Sequence, residues 1–211
     1  MEKQPPRIGS TNIKAILFDL GKVILDFDFS PAFKTLSKAS GRPPKEVRAF
    51  FMESGLEVLY DGGKITSKSF CDEVKKSLGH SLSEIQFRRC WNEIFTPNQK
   101  TIRLIKKLAK KYRLVLISNT NEMHYEYIRR KYTVLSYFDA VVLSFKEKRR
   151  KPDAAIYRKA IRECAAKPHE IFYIDDRSDL AAAAAELGMH SFTFKNNHDE
   201  LRRRMTALRI L

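Results

Sequence analysis

Apolar residues fall along this chain in two rhythms. Short unbroken runs occur at Ala15-Ile16-Leu17-Phe18, Leu114-Val115-Leu116-Ile117 and Ile171-Phe172-Tyr173-Ile174, each stopping abruptly at polar residues. A run of this length bounded by turn signals predicts a buried parallel strand, and a further strand is expected near residues 140–144. Between the runs the apolar period lengthens to that of a helix. A basic amphipathic helix should lead into the strand at Leu114, a second should follow Asn121, and a third should start after Pro152. The five alanines Ala181 to Ala185 favour a fourth helix, which Gly188 can end. Strand and helix therefore alternate, which predicts an α/β fold built on a parallel sheet.

One stretch breaks the alternation. From about Ser30 to Phe95 the spacing is helical throughout, with Ala32-Phe33-Leu36, Val47-Phe50-Phe51, Phe70-Val74-Leu78 and Ile85-Phe87-Trp91 as apolar faces. Gly41-Arg42-Pro43-Pro44, Asp61-Gly62-Gly63 and Gly79-His80 divide it into several short helices. The expected organisation is an α/β core over residues 12–28 and 97–211, an all-helical insert over 29–96, and a flexible polar tail over 1–11.

Composition adds limits. The 211 residues are 43% apolar, enough for one or two packed domains. Cys71, Cys90 and Cys164 form no ligand spacing, so reduced buried thiols are expected rather than a disulfide framework. The first residues lack a signal-peptide apolar region and no run approaches a membrane span, so the expectation is a cytoplasmic protein with no membrane partner. The net charge of +15 is the usual footprint of a polyanion binder. Here the basic residues are scattered: Lys106, Lys107, Lys110 and Lys111 fit the solvated face of a helix, and Arg202 to Arg204 fit its C-terminal counterpart near the chain end. No nucleic-acid-binding signature accompanies the charge, so attraction of small phosphorylated molecules is its more economical use.

The candidate chemistry lies where the strands end. Asp19 follows the first run and opens into Leu20-Gly21-Lys22-Val23; Ser118-Asn119-Thr120-Asn121 follow the second; Lys151 precedes Pro152; Asp175-Asp176 end the last. In open α/β sheets the carboxyl ends of the strands face the ligand crevice. Paired acids there suggest a cation.

Taken in order, these four motifs resemble the haloacid dehalogenase superfamily, over nearly the whole chain after the first dozen residues. Phe18-Asp19-Leu20-Gly21-Lys22-Val23-Ile24, Ser118-Asn119-Thr120-Asn121 with His124, and Arg150-Lys151-Pro152 are similar to its subfamily IA branch of bacterial α-D-glucose-1-phosphatase-like enzymes. The resemblance implies a Rossmann-like three-layer α/β/α core with the helical insert as a cap after the first strand. It further implies a Mg2+-dependent phosphatase of small phosphorylated metabolites, such as a sugar 1-phosphate. Asp19 would be the nucleophile that becomes an aspartyl-phosphate, Ser118, Asn119 and Lys151 would hold the phosphoryl group, and Asp19, the Gly21 carbonyl, Asp176 and Asp175 would serve the metal.

The chain departs from that pattern at Gly21, where most superfamily phosphatases carry a second Asp as general acid. Losing such a group typically costs about 10²- to 10⁴-fold, which points to good leaving groups such as an anomeric hydroxyl. Asp26 or Asp28 is a candidate substitute. Two other readings stand beside the phosphatase: a metal-free 2-haloacid dehalogenase-like hydrolase, against which Asp175-Asp176 argue, and a catalytically weak relative acting as a binding protein. His124 and Asp179 fit ordinary helix positions as well as site positions, and Tyr60, Asp61 and Lys64 flank a turn that would face a substrate. The oligomeric state is open.

Overall fold

The computed structural model describes residues 12–211, so the tail expected over 1–11 lies outside the described residues. Five strands form one parallel sheet: β1 (Ala15–Phe18), β4 (Arg113–Ser118), β5 (Ala140–Leu143), β6 (Ile171–Asp175) and β7 (His190–Thr193), in the order β5-β4-β1-β6-β7. The first strand is thus central. Side chains alternate across it, and both faces are buried. Ile16, Phe18, Leu116 and Ile174 point to one face and pack with Ile105 of α6 (Gln99–Leu108), Ile128 of α7 (Glu122–Lys131) and Met205 of α11 (His198–Ala207). Leu17, Ile117 and Tyr173 point to the other and meet Ile156 and Tyr157 of α9 (Ala154–Cys164) and Ala184 of α10 (Ser178–Glu186). Double burial explains why these strands read as unbroken apolar runs.

Five helices occupy the stretch where helical spacing is continuous: α1 (Ser30–Ser40), α2 (Pro44–Glu53), α3 (Leu56–Asp61), α4 (Ser67–Leu78) and α5 (Glu84–Asn92). They share their own core, with Val47, Phe51, Tyr60, Phe70 and Phe87 around the fully buried Trp91. Thr66 caps α4 by accepting from Ser69 N–H at 3.1 Å, and Ser83 caps α5 in a reciprocal box with Gln86.

Three local readings need correction. Phe95 and Thr96 belong to a strand, β3 (Phe95–Pro97), which pairs antiparallel with β2 (Leu25–Phe27) to make the two-stranded stem through which the chain leaves and re-enters the core. Three residues are too few to show a period. Helix α6 stops at Leu108, so Lys110 and Lys111 sit in the following turn. Strand β7 was not anticipated, because an edge strand reading His-Ser-Phe-Thr is only half-buried and carries no apolar run.

The insert rests on the core through its third helix. Ser144 accepts from Thr120 N–H at 2.9 Å while its hydroxyl donates to the Asp61 carbonyl. Next to this contact, Gly63 has φ +62, and a β-carbon there would lie 2.1 Å from the carbonyl oxygen of Phe145 in α8 (Ser144–Glu147). Gly41, at φ +71, would place its β-carbon in open space. Gly41→Ala should therefore cost about 1 kcal/mol from the left-handed backbone alone. Gly63→Ala should cost roughly 3 kcal/mol or more, because overpacking against a carbonyl adds to that strain. Urea unfolding of the two variants checks the difference, and equal midpoints would show that the junction does not need the missing side chain.

Candidate active site

Because the sheet is parallel, the carboxyl ends of its three central strands open on one edge. Asp19 directly follows β1, and its N–H extends the ladder by donating to Ile174 at 2.9 Å. Ser118 ends β4 and Asp175 ends β6, with Asp176 next. Lys151 comes from the loop ahead of α9 and is held by its backbone. The Asn119 side-chain amide donates to the Lys151 carbonyl at 2.9 Å and its oxygen accepts from the Lys151 N–H at 2.7 Å. Asn119 therefore carries a positioning duty that its strand-end location alone did not reveal.

The Lys151 ammonium lies 2.8 Å from Asp19 Oδ1 and 2.7 Å from Asp175 Oδ2, and it donates to the Tyr173 hydroxyl at 3.1 Å. Tyr173 in turn donates to Asp175, whose other oxygen accepts from Arg177 N–H at 2.9 Å. Both Asp175 oxygens are thus engaged within the protein. Asp176 is half-buried and forms no ion pair among the described residues. One carboxylate oxygen each from Asp19, Asp175 and Asp176 come within 4.8 Å of one another. Such a hard-oxygen set, with Asp176 free, fits a divalent cation of the Mg2+ type.

Three carboxylates around one ammonium leave an excess of negative charge in a buried place. Burial raises the Asp19 carboxyl above its ordinary range and Asp175 adds to this, while Lys151 pulls against them. Burial also disfavours the charged Lys151, yet Asp19 and Asp175 together outweigh it and raise its pKa. Asp176 is raised by burial and then by Asp175. A cation bound among them would favour the ionised carboxylates.

The position of the absent second Asp is physically filled. A β-carbon on Gly21 would meet Phe27 Cε1 at 3.0 Å. Lys22 lies over the same ring at 4.5 Å and donates to the Phe27 carbonyl at 2.7 Å. Neither substitute acid fits the task. Asp26 does not line the cavity beside Asp19. Asp28 does, but hydrogen bonding from the Ser30 hydroxyl and from Ser30 N–H at 2.9 Å lowers its carboxyl below the ordinary range, the wrong direction for a proton donor.

His124 is an ordinary buried histidine in its bonding: Nε2 faces the Trp91 carbonyl at 3.0 Å, Nδ1 faces the Asn121 amide at 3.1 Å, and the ring stacks on Trp91. Burial pushes it down to about 4, so it is neutral at physiological pH. Asp179 pairs with Arg177 at 2.6 Å on the surface instead of reaching the carboxylate trio.

A cavity of about 670 Å³ covers the strand ends. Its core wall includes Asp19, Gly21, Ser118, Asn119, Lys151 and Asp176, while Phe51, Glu57 and Asp61 come from the helical insert. Asp175 lies beneath the wall, fully buried. Glu57, Arg48 and Arg150 were not expected there as site residues. Only the Gly62-Gly63 turn beside Asp61 gave a hint, since a charged residue on a short helix looks the same whether it faces solvent or a cleft.

The family model for haloacid dehalogenase-like hydrolases matches residues 13–188. D-ribitol-5-phosphate phosphatase from Bacteroides thetaiotaomicron is 25% identical over 194 residues, spanning 89% of this chain and 94% of the relative. A phosphorylated carbohydrates phosphatase from Thermotoga maritima is 21% identical, over 84% of this chain and 82% of its own length. The crystal structure of a HAD family enzyme from Bacteroides thetaiotaomicron, in complex with magnesium and inorganic phosphate, superposes with a TM-score of 0.79. It is 28% identical and covers 87% of this chain and 94% of its own.

Glu57 supplies a pH test. Burial, then the neighbouring Asp61, raise it from 4.5 to about 7, while Arg150 opposes them. For an acid whose pKa is higher folded than unfolded, the folded state binds more protons between the two values, so stability falls as pH rises through that window. Glu57→Gln should match the parent near pH 4.5 and exceed it above pH 7, by on the order of 1 kcal/mol once solvent screening is allowed for. Denaturation midpoints at the two pH values would refute this if the difference shrank or reversed with rising pH.

Proposed function

The chain belongs to the haloacid dehalogenase-like hydrolase family, and from that premise we propose that it is a Mg2+-dependent phosphatase of small monophosphorylated metabolites, sugar or polyol phosphates. The observation that carries this is Lys151, clamped between Asp19 and Asp175 beside a carboxylate trio that fits a divalent cation. The relatives named for ribitol 5-phosphate and for phosphorylated carbohydrates support the substrate class.

In this reading Asp19 attacks phosphorus in line with the departing alcohol and becomes an aspartyl-phosphate, which water then hydrolyses. A carboxylate approaching a phosphate dianion at about 3.5 Å meets repulsion on the order of 10 kcal/mol at an effective dielectric near 20. Mg2+, when bound by Asp19, Asp176 and the Gly21 carbonyl, supplies the charge that cancels it. Asp175, its oxygens already taken by Lys151, Tyr173 and Arg177, orients the set from behind. Lys151 neutralises the nucleophile and a phosphoryl oxygen, and Ser118 with the Asn119 backbone donates to the remaining oxygens. Helices α1 to α5 act as the cap that closes the cavity over the substrate.

The filled space at Gly21 favours a leaving group that departs with little proton assistance, as an anomeric oxygen does. The relative named for an alditol 5-phosphate favours an ordinary primary alcohol instead. Phosphate release from sugar 1-phosphates, sugar and polyol 5- and 6-phosphates and p-nitrophenyl phosphate separates the two. Release should require Mg2+ and fall on the order of 10⁴-fold in Asp19→Asn. Sugar 1-phosphates should exceed alkyl phosphates at least tenfold in kcat, given the ~10²- to 10⁴-fold reach of acid catalysis. Equal rates would retire the leaving-group argument, and metal-independent chloride release from 2-chloropropionate without phosphate release would favour the dehalogenase reading.

A further inference from the structure

Beyond Asp19, Ser118, Lys151 and Asp176, the cavity is lined by charged side chains that phosphate transfer does not require. Glu57 of α3 faces the cavity half-buried, and its surroundings give it charge neighbours but no hydrogen-bond donor. Arg150 faces the same space with Nε buried and unpartnered, and its Nη2 stands 3.8 Å from Asp61 Oδ2, too far for a good hydrogen bond. A carboxylate with no hydrogen-bond donor and a guanidinium held only by a long ion pair thus line one cavity. A carboxylate in a phosphate-binding cleft also opposes the incoming dianion. A ligand hydroxyl in the cavity would give both groups a closer partner.

Charge narrows what that ligand is. The cavity lining carries five acidic and five basic side chains, so no cationic surplus remains to hold a second anion. Phe29, Phe33 and Phe51 supply apolar surface around the same volume. A carboxylate beside a guanidinium, over aromatic rings, matches neighbouring hydroxyls on an uncharged carbon chain: one hydroxyl donates to the carboxylate and its neighbour accepts from the guanidinium.

We propose that Glu57 and Arg150 form the leaving-group subsite, selecting polyhydroxylated, otherwise uncharged monophosphates and rejecting substrates that carry a second phosphate or a carboxylate. The inference rests on the phosphatase reading and adds the feature of the substrate that is read. Glu57 accepts from a substrate hydroxyl, Arg150 donates to the adjacent one, and a second anion placed there would be repelled by Glu57.

The test compares a pentitol monophosphate, a sugar bisphosphate and p-nitrophenyl phosphate, which has no hydroxyl to read, all with Mg2+. Glu57→Ala should lower kcat/KM for the pentitol phosphate at least tenfold relative to its own value for p-nitrophenyl phosphate, mainly through KM, and should improve the bisphosphate relative to the monophosphate. Glu57→Gln keeps an acceptor oxygen and shape, so it should recover part of the polyol preference. A parallel change for all three substrates in both variants, or no change, would overturn the subsite while leaving the phosphatase intact. Failure of the parent protein to release phosphate from any of them would overturn the phosphatase reading itself, and the subsite with it.

Discussion

Everything at the strand ends depends on one buried ammonium. Among the described residues Lys151 is the sole cation in direct contact with Asp19 and Asp175, at 2.8 and 2.7 Å. Without it, two carboxylates would be buried side by side, and an uncompensated buried charge typically costs about 3–5 kcal/mol. Its placement is secured through the backbone by the Asn119 amide and at its tip by Tyr173, so the chain spends two polar side chains on fixing one charge. Even so, one ammonium does not neutralise three carboxylates. That residual negative charge separates the set from a structural ion pair and suits it to a divalent cation.

The same constraint explains what was legible from residue order. The places of Asp19, Ser118 and Asp175-Asp176 could be read because each ends or follows a strand whose burial on both faces leaves an unbroken apolar signature, and parallel pairing gathers such ends on one edge, while Lys151 was marked by the helix-starting Pro152. The helical insert was equally legible, since Leu36, Val47, Phe70 and Trp91 recur at helical spacing around a core of their own. Features made by only one or two contacts were not. The stem strand Phe95–Pro97 and the edge strand His190–Thr193 are too short or too polar to announce themselves. The clasp of Asn119 on Lys151, and the placement of Glu57 and Arg150 in the cavity, depend on contacts across 32 residues or between insert and core.

The junction between insert and core is built with the same economy. Asp61 gives its carbonyl to Ser144, one carboxylate oxygen to Asn121 at 3.0 Å, and its other oxygen faces Arg150. Asn121 in turn caps α7 through His124 N–H at 3.0 Å. A helix that contributes to the cavity wall is therefore fastened to the helix that starts where β4 ends. Burial raises the Asp61 carboxyl, with Asn121 and Arg150 opposing, which marks this fastening as a place where stability is traded against a polar lining.

Charge does two different jobs at two distances. The net +15 of the chain is spread over its surface and acts at long range, where a basic protein raises the local concentration of phosphorylated molecules without reading their shape. Inside the cavity that surplus is absent: acidic and basic side chains are equal in number along its lining, and Asp175 lies buried beneath it. Screening over about 8 Å at physiological ionic strength keeps the outer field from replacing the inner contacts. Capture can therefore be indiscriminate among phosphates while selection is left to hydrogen bonds in the enclosed volume. On the proposed reading the burden of discrimination falls on the leaving group, because Phe27 occupies the space beside Gly21 and Glu57 lines the same cavity.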